Sequence, residues 1–264
     1  MISGIVIALG GLFGLGVYYL LFGNLLSEAT VAGLRIKGGL NSAQKEKLNS
    51  HFQFYQQLPP KSKALFEYRV ANFIRMKEFV PRNMTHVTEE MQVLIAASAI
   101  QLTFGYPKVF LSYFRYVIVF PDQFFSNSGQ RYHKGEVNPK AKAIVLSWKH
   151  FVEGYSKSDG VNLGLHEMAH ALQLENIVMN DEYDFLDSEA IKHWQALASA
   201  EIVRIQNDAA SFFREYGASN HAEFFAVAVE NFFERPVAFH DYQPALYSAL
   251  ARLLKQDPML LSHK

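Results

Sequence analysis

The stretch Leu165-His166-Glu167-Met168-Ala169-His170-Ala171-Leu172 carries the side chains best suited to chemistry in this chain. Residues four apart on a helix stand on one face, about a turn from each other. His166 and His170 can therefore present two imidazole nitrogens to one ion at about 2.0 Å. Glu167 is rotated by about 100° from His166. It is poorly placed to ligate the same ion, yet its carboxylate can reach a water bound there. Two neutral imidazoles, one adjacent carboxylate and an open coordination position are the parts of a zinc hydrolase site. A chain with ten histidines will sometimes match this pattern by accident. Here, however, Val161, Leu163, Leu165, Met168, Ala169, Ala171, Leu172 and Leu174 make the helix otherwise apolar. Three ionisable groups in such a helix are costly unless something compensates them, and a metal ion would.

A catalytic zinc wants a third protein ligand. The apolar run Asn220 to Phe233 offers Glu223 and Glu230, which are seven apart and so nearly on one helix face. Periodicity alone does not choose between them, nor does it exclude Glu175 or Asp187. The chain has no cysteine, so any metal must be held by His, Asp or Glu, and thiolate nucleophiles and disulfides are excluded.

These residues need a scaffold, and 264 residues, half of them hydrophobic and 14% aromatic, suffice to build a core. The 25 basic and 25 acidic residues cancel and form no basic block, which argues against a nucleic-acid partner. Helices are expected from Ser42 to Leu58, ended by Pro59-Pro60, and from Lys61 to Lys77. Another runs from Met91 to Leu102, with Thr88 as its N-cap. Val109 to Phe120 is aromatic and β-branched, which suits one or two strands. Asn127 to Asn138 reads as a polar surface loop, and residues 143–148 as a buried or edge strand placed to pair with an extended substrate. From about His150 onward the signals are helical: Asp159 to Ile177, Asp187 to Arg214, Asn220 to Phe233 and Leu246 to Lys255. The expectation is one α+β domain, mostly helical with a small sheet.

Residues 2–22 carry no charge and no proline. As a helix they would span about 30 Å, the thickness of a bilayer core. The length of the run, the lack of a basic residue before it and the absence of a clean cleavage site disfavour a signal peptide. Residues 2–23 are thus expected to be one transmembrane helix in a lipid bilayer, followed by a linker over 24–41. Arg35, Lys37, Lys45 and Lys47 follow the segment. On the positive-inside rule they place the remaining domain in the cytoplasm, as a single-pass membrane protein.

Several stretches together resemble the Mlc titration factor A family of zinc metallopeptidases, also called glucose-regulated metallopeptidases. They are Phe79-Val80-Pro81, residues 117–121 (VIVFP), residues 144–148 (IVLSW), His166 to His170 (HEMAH), residues 222–227 (AEFFAV) and Gln256-Asp257-Pro258. They run in the family's order and cover most of the chain after about Ser62. The resemblance implies a zincin-like peptidase domain over 42–264. It implies zinc held by His166, His170 and Glu223; Glu167, beside them, is expected to accept the proton of the zinc-bound water. The family's site is similar to that of anthrax lethal factor, where a Tyr seven residues before the ligand Glu assists catalysis. Tyr216 stands in that place. The chain departs from the family in its apolar amino-terminal segment and in a shorter stretch between His170 and Glu223.

The expected function is a membrane-anchored zinc metallopeptidase that hydrolyses peptide bonds in a peptide or protein substrate. The alternative, implied by the resemblance, is a binding module that captures a transcriptional repressor or other regulatory protein, with little or no peptidase activity.

Overall fold

Four strands make a mixed sheet in the order β1 (Glu78–Pro81), β2 (Tyr116–Phe120), β6 (Ala143–Ser147) and β5 (Gly135–Asn138). The first three are parallel, and β5 runs antiparallel to β6 with Gly135 opposite Leu146 and Asn138 opposite Ala143. A separate hairpin pairs β3 (Phe124–Ser126) with β4 (Arg131–His133). The computed structural model describes residues 39–126, 130–207 and 211–260. Everything else described is helical or connecting chain.

The amino-terminal helices are α1 (Ser42–His51), α2 (Gln53–Gln57) and α3 (Pro60–Met76), the last opened by proline at its first position. Next comes α4 (Glu89–Thr103), where the Thr88 hydroxyl accepts a hydrogen bond from Met91 N at 3.2 Å. Glu89 and Glu90 lie in its first turn, where carboxylates favour the helix dipole. Strand β6 runs directly into α5 (Trp148–Ser156) through the capping Ser147. Helix α6 (Leu163–Ile177) follows, capped by Asn162, whose Oδ1 accepts from Leu165 N at 3.0 Å. Beyond it are α7 (Ser188–Asn207), a 3-10 turn (Glu215–Ser219), α8 (His221–Glu234), α9 (Pro236–Tyr242) and α10 (Pro244–Leu254).

Helix α6 is buried almost all round, which fits its lack of a polar face. It packs against α4, α5 and α8 and against strands β5 and β6. Close packing there depends on small residues: a Cβ on Gly164 would stand 2.6 Å from a Phe151 ring carbon.

Four expectations need correction. The single-pass membrane placement does not stand, because among the described residues no helix is long and apolar enough to cross a membrane. Residues 2–23, and all of the expected linker but its last three residues, lie outside the described residues. Of Val109 to Phe120 only Tyr116–Phe120 forms a strand; Leu111 adopts a left-handed turn conformation, φ 53°, which breaks the run. The polar 127–138 stretch contains β4 and β5 rather than a plain loop. Strand β6 is buried along its whole length between β2 and β5, so it has no free edge for a substrate.

Candidate metal centre

Helix α6 points His166 and His170 towards the first turn of α8, where Glu223 sits. The Nε2 atoms of the two histidines are 3.1 Å apart. Glu223 Oε2 lies 3.2 Å from His166 Nε2 and 3.4 Å from His170 Nε2. The position of Glu223 is set by its own helix cap, since Asn220 Oδ1 accepts from Glu223 N at 3.0 Å.

The acidic and imidazole groups here shift one another strongly. Burial pushes His166 down, but Glu223 and then Glu230 outweigh it and raise it to about 10. Burial pushes Glu223 up, yet His166 and His170 hold its carboxyl well below the usual range. Despite that proximity, Glu223 Oε2 is buried and has no donor aligned for a hydrogen bond. The three converging atoms also have the right spacing, because a tetrahedron with corners about 2.0 Å from its centre has edges of about 3.3 Å. Two imidazoles and a carboxylate are a donor set for a divalent transition metal. The residues present fit such an ion, and among the described residues this is the group of three or more His, Asp or Glu that can hold one.

Glu230 faces the other side of His166. Its Oε1 stands 2.7 Å from His166 Nδ1, which fixes that nitrogen as the protonated one and leaves Nε2 for the centre of the group. Glu230 is itself held by Arg214, with Nη2 donating to Oε1 at 2.6 Å and Nη1 to Oε2 at 3.0 Å, and by Asn162 N at 2.5 Å. A carboxylate only 1% exposed is tolerable because every lone pair faces a donor. Of the two glutamates that periodicity left open, the structure brings Glu223 to the histidines and sets Glu230 behind them. Glu175 lies elsewhere, accepting from Tyr113 N and Asn180 Nδ2. Asp187 caps α7 by accepting from Ala190 N.

Glu167 is buried beneath β5, and burial pushes its carboxyl up to about 7, against the pull of His166 and His170. A Cβ on Gly135 would stand 2.4 Å from Glu167 Oε1, so the strand approaches this closely only because residue 135 has no side chain. Tyr216, on the 3-10 turn, places its ring 6.0 Å from that of His166 and is 48% exposed. Burial and then the Glu223 charge raise its hydroxyl to about 12, so it stays protonated. Sequence reasoning did not find Arg214 or Gly135, because neither belongs to a recurring spacing. Only folding brings them within reach of Glu230 and Glu167.

Comparison with known proteins shows the family of the chain. The chain is 27% identical over 229 residues to an uncharacterized protein of a Synechocystis species, spanning 81% of this chain and 83% of that one. It is 28% identical to Mlc titration factor A of Edwardsiella ictaluri, spanning 70% and 77%, and 29% identical to that of Yersinia pestis, spanning 72% and 76%. The profile of the glucose-regulated metallo-peptidase M90 family matches residues 34–255, which include every residue of the His–Glu group. The chain belongs to the glucose-regulated metallo-peptidase M90 family.

Proposed function

We propose that this chain is a zinc-dependent metallopeptidase that hydrolyses peptide bonds, with His166, His170 and Glu223 binding the metal. The observation that supports this best is the convergence of three donor atoms, 3.1 to 3.4 Å apart, beside a buried carboxyl that is not one of them. A zinc ion there supplies Lewis acidity, which acidifies a water molecule and polarises a carbonyl.

Glu167 takes a proton from the attacking water and passes it to the departing amine. A carboxyl near 7 is suited to both transfers. Tyr216 donates a hydrogen bond to the oxygen that gains charge at the scissile carbonyl, a type of contact often worth about 3 kcal/mol. Glu230, held by Arg214, keeps the His166 ring in one tautomer and orientation. Strand β5 is an edge of the sheet, so its free side can pair with the backbone of an extended peptide.

The test is zinc content measured together with chelator-sensitive cleavage of a peptide library. Purified, folded chain that holds no zinc and cleaves nothing would refute the reading. A second reading, capture of a regulatory protein, draws support from the name Mlc titration factor A carried by relatives. Partner capture that survives both Glu167→Gln and metal removal would favour it.

A further inference from the structure

The cleft holding the His–Glu group opens into a cavity of about 690 Å³, one wall of which is apolar. His166 and His170 share a face of α6 with Leu174, one turn further on. Leu174 forms a wall with Leu186, Ile191, Trp194 and Phe225, drawn from α6, α7, α8 and the connection before α7. Leu186, Trp194 and Phe225 are rooted in the core, while Leu174 and Ile191 are half-buried and present free surface to the cavity. Asn176 borders it as well, but its Oδ1 accepts from Leu186 N at 2.8 Å and so braces the wall. Apart from the His–Glu group and Glu167, the Arg and Glu side chains lining the cavity are Arg131 and Glu136, both from the strand side. Gly135, against Glu167, and Val137, two residues along the same strand, border the same space.

We infer that this wall is the subsite for a large apolar side chain adjacent to the scissile bond. The substrates are then extended peptides carrying Leu, Phe, Met or Ile at that position. This rests on the peptidase reading. A peptide lying along β5 passes Glu167 at Gly135 and reaches the wall beside Val137. Gln173 and Gln195 also border the cavity but carry no charge, so an Asp or Lys against this wall would lose its water without gaining an ion pair.

The test uses the full chain loaded with zinc and fluorescence-quenched octapeptides of Gly and Ser with one central residue set to Leu, Phe, Ala, Asp or Lys. Mass analysis of the products locates the cut. Cleavage next to Leu or Phe should exceed that next to Asp or Lys by roughly tenfold or more. Ile191→Glu, at a half-buried position away from the ion, should erase this preference and improve cleavage next to Lys, with zinc content unchanged. Ile191→Ala should keep the preference. Binding of the same peptides to the Glu167→Gln protein, followed by fluorescence, separates the two readings. Tighter binding of the Leu and Phe peptides without any cleavage by the unaltered chain would sink the peptidase reading and leave the subsite standing. Cleavage or binding indifferent to the central residue, or favouring Asp or Lys, overturns the subsite.

Discussion

Glu167 and Gly135 make a contact in the cleft that leaves no room for a Cβ on residue 135. Glu167→Gln should retain about one zinc per chain and lose peptide cleavage, read by metal analysis beside the rate. Wild-type turnover in that variant would remove Glu167 as proton carrier. Gly135→Ala tests the same atom from the strand. A methyl group 2.4 Å from Oε1 must displace the carboxyl, and a misplacement of about 1 Å can cost 10²-fold. The expected result is a fall of that order in kcat/KM with zinc content intact. His166, Glu167 and His170 were legible in the sequence because an i, i+4 pair on an apolar helix has few other uses. The choice between Glu223 and Glu230 was not legible from spacing, since seven residues return a helix to nearly the same face. What separates them is the neighbour each meets: the imidazole Nε2 atoms for one, His166 Nδ1 and Arg214 for the other. Glu223→Ala should abolish zinc binding, whereas Glu230→Ala should weaken it by about 10–100-fold, both read by chelator competition.

Helices α6 and α8 are latched at both ends of their contact, by the His–Glu group and by Glu234 at the end of α8. Glu234 accepts from Gly160 N and Asn162 Nδ2, each at 2.9 Å, and so grips the residues that start α6. Burial nonetheless raises its carboxyl to about 7, against an ordinary value of 4.5. The folded chain therefore holds this proton more tightly than the unfolded chain. Its contribution to stability is complete below about 4.5 and is lost as pH rises to about 7. Glu234→Gln should flatten that part of the stability profile, followed by urea unfolding across the range; identical slopes in the two proteins would remove Glu234 as the cause. The helices at this scale were mostly legible, because capping residues such as Thr88 and long apolar runs announce themselves. The strands were less so. Strand β5, GEVN, has no strong alternation and one glycine, so its pairing with β6 is a tertiary event that no local signal records. Conversely, β6 announced itself as apolar, but only the sheet order shows that both its edges are taken.

For the molecule as a whole, an ion held jointly by α6 and α8 would bind the folded chain and not the unfolded one. At a free concentration about 100 times its dissociation constant it adds about 2.7 kcal/mol. For a chain of this size that corresponds to roughly 5–10 °C in melting temperature. Thermal unfolding with zinc and with excess chelator should differ by that amount, and coincident curves would argue against an ion bridging the two helices. Composition foretold a protein with a core, and it foretold no more than that about arrangement. The order in which the strands and helices pack depends on contacts between distant residues, such as Asn162 with Glu230 and Glu234.

Asn220 ends the 3-10 turn bearing Tyr216 and begins the helix bearing Glu223. One residue thus acts as a shared joint, and the interval between the tyrosine and the glutamate becomes a rigid ruler rather than a tether. Lengthening it by a single amino acid would rotate one partner about the joint while the other stayed fixed. Redesign of this cleft can therefore vary exposed side chains on either arm, but the count between them has no slack.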